Sequence, residues 1–148
     1  MNVADLIGPD HVVVGLRIND KAQLLQELAR RAAPAVKVEP DQLLTALQAR
    51  EQLGSTGIGK GFAVPHARLE TLTQPFALLV RLARPIDFAA VDEKPVDIVV
   101  LLLSPEADAS RHLATLAAVC RPARDPLFLQ RLRKAADAGE VHRLLATA

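Results

Sequence analysis

Gly54–Glu70 reads GSTGIGKGFAVPHARLE. Gly54, Gly57, Gly59 and Gly61 crowd together, and Pro65-His66 follows within a few residues. Gly54 to Lys60 satisfies G-x-x-x-x-G-K, the core of a nucleotide-binding loop, so its reading decides the fold. A phosphate cradle of that kind needs a strand before it, a helix after it, and Ser or Thr after the lysine to reach Mg²⁺. Here Leu43, Leu44 and Leu47 mark a helix before the loop, Pro65 blocks one after it, and Gly61 stands where the hydroxyl is required. Nucleotide binding fails on chemistry and on context. Two readings remain. In one, the glycines serve only a helix C-cap and a tight turn that needs positive φ. In the other, His66 is a nucleophile able to hold a covalent intermediate. Glycine amides, Lys60 and Arg68 would then neutralise an anion beside it.

Outward from this stretch, the chain alternates between strand and helix signals. The β-branched run His11–Leu16 predicts a buried strand. Asn19 or Asp20 is placed to cap a helix carrying Leu24, Leu25, Leu28, Ala29 and Ala32, with Pro34 beyond its end. Pro40-Asp41 opens a second helix, and Gly54 is a C-cap candidate. Phe62-Ala-Val predicts a short strand ending at Pro65. Phe76–Leu82 and Val96–Leu103 predict two more, the latter central because it is apolar throughout. Ile86–Pro95 is polar and irregular. Ser104-Pro105 predicts a turn into a helix with Leu113, Leu116 and Cys120 on its apolar face. Asp125-Pro126 and Asp137 predict two further helix starts. This order predicts one domain over residues 1–148, a mixed sheet covered by helices on both faces in three α/β/α layers.

Composition narrows the function. The 148 residues carry 18 basic and 17 acidic side chains and a net charge of +1, which calls for neither nucleic acid nor an anionic membrane. Four Phe without Trp or Tyr leave no base-stacking platform. A single cysteine, Cys120, excludes an internal disulfide framework. No basic, apolar leader is visible at the start, and the run Ile98–Leu103 falls far short of the ~20 residues that cross a bilayer. A cytoplasmic protein without membrane insertion is expected. No His/Cys ligand spacing predicts a metal. His11 and His142 read as ordinary surface or half-buried residues and Cys120 as core. The arginines of the last third read mostly as solvated helix faces.

Arg50-Glu51, the stretch Gly54-Ser-Thr-Gly-Ile-Gly59 and Ala63-Val-Pro-His66 together resemble the active-site signature of the type-2 enzyme IIA domains. These belong to the phosphoenolpyruvate phosphotransferase system, in its fructose–mannitol class. The resemblance continues through Pro85-Ile-Asp-Phe88, Pro95-Val-Asp97 and His112-Leu113, and spans roughly Leu6 to Leu145. It implies the same α/β/α fold. It implies that His66 accepts a phosphoryl group from an HPr-like phosphocarrier, that His112 is the second active-site histidine, and that Arg50 is the active-site arginine. Ser55, Thr56, Gly57, Gly59, Lys60 and Arg68 are the expected phosphate-binding set. Neither a metal nor another cofactor is implied. Two positions depart from the family pattern: Lys60 stands where Asn is common, and Ala67-Arg68 stands where Gly-Lys is common. The pattern is most like the free-standing nitrogen-regulatory branch, which implies phosphorylation-dependent binding to target proteins. The alternative is a sugar-specific enzyme IIA that hands the phosphoryl group to a IIB domain of a fructose/mannitol-type transporter.

Overall fold

Alternation along one strand organises the molecule. In the computed structural model, which describes residues 2–148, the strand Val96–Pro105 is buried along almost its whole length. Val99, Leu101 and Leu103 face one cluster of buried residues; Ile98, Val100 and Leu102 face the other. A strand buried on both sides must be covered by a layer on each face. The order of elements supplies these layers. Helix α1 (Val3–Leu6) and a 3-10 turn (Pro9–His11) precede strand β1 (Val12–Leu16). Helices α2 (Lys21–Val36) and α3 (Pro40–Gln52) follow, then the short strands β2 (Gly57–Gly59), β3 (Phe62–Ala63) and β4 (His66–Leu69). Strands β5 (Phe76–Ile86) and β6 (Val96–Pro105) complete the sheet, and α4 (Ala109–Cys120), a 3-10 turn (Arg121–Arg124), α5 (Pro126–Lys134) and α6 (Ala138–Leu145) complete the chain. Helices α2 and α3 pack on one face; α1 and α4 to α6 pack on the other.

The sheet is mixed, in the order β1-β5-β6-β3-β2, with β4 also on β6. β5 runs antiparallel to β6, β1 parallel to β5, and β3 and β4 both parallel to β6. Phe62 pairs with Ile98 and His66 with Leu102. The register is therefore unchanged across Val64-Pro65, and β3 and β4 are two pieces of one line interrupted by the proline. Proline lacks the N–H a ladder requires, so the interruption falls there.

Several expectations hold locally. Asp20 caps α2 by accepting from the Gln23 amide at 2.8 Å. Asp125 and Asp137 cap α5 and α6 in the same way. Pro40 occupies the first turn of α3. Others are corrected. Pro34 lies inside α2, in its last turn, and the helix runs on to Val36 before Lys37 turns left-handed at φ 57°. The carbonyl that Pro34 cannot satisfy belongs to the exposed Arg30, where water can reach it, while Ala32, Ala33 and Val36 are buried. Gly54 follows the C-cap residue Leu53. The glycine stretch is not all loop, because Gly57–Gly59 pairs with β3, and Gly57 is not at positive φ. Instead a Cβ on Gly57 would lie 2.7 Å from Ala90 Cβ and 2.9 Å from Ala90 Cα. Ser104-Pro105 belongs to β6 rather than to a turn. In α4, Leu113 points outward at 65% exposure, and His112, Thr115, Ala118 and Val119 are buried; Cys120 is half-buried.

Candidate active site

His66 is the first residue of β4, at the point where the β3–β4 line resumes beyond Pro65. Its Nδ1 lies 2.8 Å from the Val64 carbonyl. A carbonyl only accepts, so the ring carries its proton on Nδ1 and leaves Nε2 with a free lone pair. Arg50, at the end of α3, donates from Nε to that Nε2 at 3.2 Å and from Nη1 to the Gly54 carbonyl at 2.9 Å. His112 reaches the site from α4, its ring centre 5.5 Å from that of His66 and tilted by 43°. His112 Nδ1 is 2.7 Å from Ser104 Oγ, and both side chains are buried. A hydroxyl both donates and accepts, so this contact fixes the His112 ring in place and leaves its Nε2 edge directed away from Ser104.

The electrostatics keep both imidazoles neutral. Burial pushes the His66 pKa below its ordinary value; the hydrogen bond to Val64 and the Glu51 carboxylate oppose this, and the Arg50 guanidinium adds to it. Burial likewise lowers His112, with the neighbouring His66 and Arg68 acting in the same direction. A neutral imidazole with Nδ1 pinned and its Nε2 lone pair met by a guanidinium has the chemistry to attack an electrophile that carries negative charge, once the guanidinium moves from Nε2 to that charge.

The phosphate-binding set expected from sequence is divided. Arg68 lies two residues beyond His66 on β4, hence on the same face of the strand, and holds the Glu106 carbonyl at 2.6 Å. Ser55 and Thr56 lie near the His66 end, since Thr56 accepts from the Val64 amide at 3.0 Å. Their side chains are already engaged. Ser55 Oγ donates to the Phe88 carbonyl and accepts from the Gly57 amide, and the Thr56 amide and hydroxyl both go to Glu51. The β2–β3 hairpin then carries Gly59 and Lys60 to the other end of the ladder: Gly59 pairs with Phe62, roughly 13 Å from His66 at strand rise, and Lys60 lies beyond it at the hairpin tip. There the Lys60 amide donates to Asp92, its Nζ to the Arg124 carbonyl, and its backbone accepts from Arg133. Lys60 therefore cannot touch a group bound to His66 in this fold. The Ala67 departure is accommodated because Ala67 faces the α2–α3 core as a small buried side chain. Sequence reasoning gave no role to Glu51, Ser104 or the Val64 carbonyl. Glu51 was visible beside Arg50; Ser104 lies at the end of an apolar run, and a carbonyl has no sequence signature.

Residues 5–148 match the family described as "Phosphoenolpyruvate-dependent sugar phosphotransferase system, EIIA 2". The chain belongs to this family. A nitrogen regulatory protein of Bradyrhizobium diazoefficiens is 41% identical over 146 residues, covering 99% of this chain and 95% of the relative. The crystal structure of the nitrogen regulatory protein IIA-Ntr from Neisseria meningitidis superposes with a TM-score of 0.92 at 29% identity, covering 97% of this chain and 98% of that one. IIA mannitol from Escherichia coli shares the fold, with a TM-score of 0.79 at 20% identity over 94% of this chain and 98% of its own. As an enzyme IIA domain, the chain has a mixed sheet between two helical layers, the architecture of these structural neighbours. Among the described residues, no helix is long and apolar enough to cross a membrane.

Proposed function

We propose that this protein is a phosphoryl carrier with a regulatory output. His66 Nε2 accepts a phosphoryl group from the phosphohistidine of an HPr-like phosphocarrier, and phosphorylation changes which proteins bind. The observation that carries this reading is the 2.8 Å contact of His66 Nδ1 with the Val64 carbonyl, which leaves Nε2 as the open nitrogen beside Arg50. In the transfer, the Nε2 lone pair forms the new N–P bond as the donor's N–P bond breaks. The electron pair of the broken bond returns to the donor imidazole. Nδ1 keeps its proton on the Val64 carbonyl, so positive charge on the His66 ring is shared with that oxygen. Arg50 turns from Nε2 to the phosphoryl oxygens, where a guanidinium fork matches their geometry. Arg68 and His112 complete the anion's surroundings. The regulatory part rests on the nitrogen regulatory relatives and on charge: a phosphoryl group adds close to two negative charges at the half-buried His66.

The test is phosphorylation by a reconstituted phosphoenolpyruvate relay, read by ³¹P NMR. The expected product is Nε2-phosphohistidine at residue 66, absent in His66→Ala and retained at a reduced rate in His112→Ala. Labelling of His66→Ala, or an Nδ1 linkage, would reverse the assignment. Affinity capture with unmodified, phosphorylated and His66→Ala baits then tests the output. At least one partner should distinguish the first two, while the third behaves as unmodified. Identical partner sets together with onward transfer to a IIB domain would instead favour the sugar-specific role.

A further inference from the structure

Glu51 stands next to Arg50, yet its side chain turns away from His66 and is only 6% exposed. A buried carboxylate without partners would be costly, and this one has several. Lys21 Nζ lies 2.8 Å away, the Thr56 amide donates at 3.1 Å, and the Thr56 hydroxyl donates to the other oxygen. Lys21 is itself held, donating to the Phe88 carbonyl at 3.2 Å with its Nζ 4.3 Å from the centre of the Phe88 ring. Thr56 passes the constraint on. Its carbonyl accepts from the Val64 amide at 3.0 Å, and the Val64 carbonyl is the group that takes the His66 Nδ1 proton. One unbroken chain of hydrogen bonds thus joins α2 and α3 to the reacting imidazole: Lys21, Glu51, Thr56, Val64, His66.

We propose that Glu51 is a positioning residue for phosphoryl acceptance: by gripping Thr56 at both its amide and its hydroxyl, it sets the Val64 carbonyl where it fixes His66 as the Nδ1–H tautomer. The ladder with β6 does not reach the Val64 carbonyl: β6 takes the next carbonyl, that of Pro65, through the Leu102 amide at 3.0 Å and pairs His66 with Leu102, while the Val64 carbonyl turns to His66 Nδ1. The grip from α3 on Thr56, which holds the Val64 amide, is the side-chain contact that reaches this residue. Because Arg50 and Glu51 are consecutive, one helix end places the guanidinium on Nε2 and, through Thr56, the carbonyl on Nδ1. This inference rests on the function proposed above, but its primary readout does not depend on it.

The experiment compares Glu51→Gln, Glu51→Ala and Thr56→Val with the unmodified full chain. Long-range ¹H–¹⁵N spectra of the imidazoles report the His66 tautomer without any phosphoryl donor. Single-turnover labelling by phosphoramidate, a small donor that needs no protein docking, reports reactivity. The unmodified chain should show the Nδ1–H form alone. Glu51→Ala should show both tautomers and a rate lower by about tenfold to a hundredfold, the usual effect of a misplaced reacting group. Glu51→Gln retains an acceptor for the Thr56 amide and should recover part of both. Thr56→Val, which loses only the hydroxyl, should fall between Glu51→Gln and the unmodified chain. An unchanged tautomer and a rate within twofold in Glu51→Gln and Thr56→Val would overturn the proposal even if Glu51→Ala failed to fold. A tautomer that depends on Glu51 in a chain that never accepts phosphate would uphold the positioning and refute the phosphoryl-carrier reading instead.

Discussion

Replacing Arg50 by alanine removes a guanidinium that makes two contacts of different kinds. Nη1 holds the exposed Gly54 carbonyl at 2.9 Å, and Nε meets His66 Nε2 at 3.2 Å. The first contact lies at an exposed helix end, where water replaces it, so the stability loss should stay within about 1 kcal/mol. For a chain of this size that is a fall in Tm of only a few degrees. The cost to transfer is larger. A charge-assisted hydrogen bond to a phosphoryl oxygen contributes about 1.5–3 kcal/mol. Against it stands the ground-state bond to Nε2, worth about 0.5–1.5 kcal/mol, which must break before Nε2 can attack. The difference, about 1–1.5 kcal/mol, corresponds to a rate lower by about 5- to 13-fold. Arg50→Lys keeps the charge but not the fork and should fall between. The assay is rapid-quench single-turnover transfer from the phosphorylated carrier, with melting curves alongside. A folded Arg50→Ala chain that transfers within twofold of the unmodified one would refute the reasoning and leave Arg50 as a clasp on Gly54 alone.

His66 and His112 both have folded pKa values below that of an unfolded histidine, so the unfolded chain binds more protons at mildly acidic pH. Stability contributed by these groups is fully present above the unfolded value of about 6.5 and is lost as pH falls from there to the lower folded values; urea midpoints against pH should decline over that window, less steeply in His66→Asn. The rate of His66 labelling should be flat above neutrality and fall only below pH ~6.5, because the nucleophile stays neutral. Gly57→Ala should destabilise by about 1–3 kcal/mol in urea titration, since its Cβ would press on the backbone of Ala90, which cannot rotate aside. Lys60→Asn places a residue better suited to φ 59° at the hairpin tip and should leave transfer within twofold while stability holds or rises slightly; a large loss of transfer would show that Lys60 acts on His66 after all.

Residue chemistry alone carried the chain as far as its punctuation and its candidate nucleophile. Apolar runs marked β1, β5 and β6, and Asp20, Pro40, Asp125 and Asp137 marked helix starts, because strand burial and capping are written in adjacent residues. Gly61 in place of a hydroxyl, with Pro65 after it, was enough to reject the nucleotide loop, and the signature around His66 was enough to imply the family. What local sequence could not decide is which face of an element turns inward and what lies opposite it. Leu113 looked like a core residue. The fold turns it outward because α4 lays His112 and Thr115 over the end of β6, where Ser104 supplies a partner for the imidazole. Strands β2 and β4 carry no apolar run; they exist because β3 pairs with one and β6 with the other, the latter across a sequence separation no local pattern encodes. Lys60 and Arg68 were equally close to His66 along the chain, and only the hairpin separates them, sending one to the far end of the ladder and keeping the other on the histidine's own strand face. Sequence proximity measures contour length, whereas a phosphoryl group senses distance through space, and the direction of two short strands makes the difference between them.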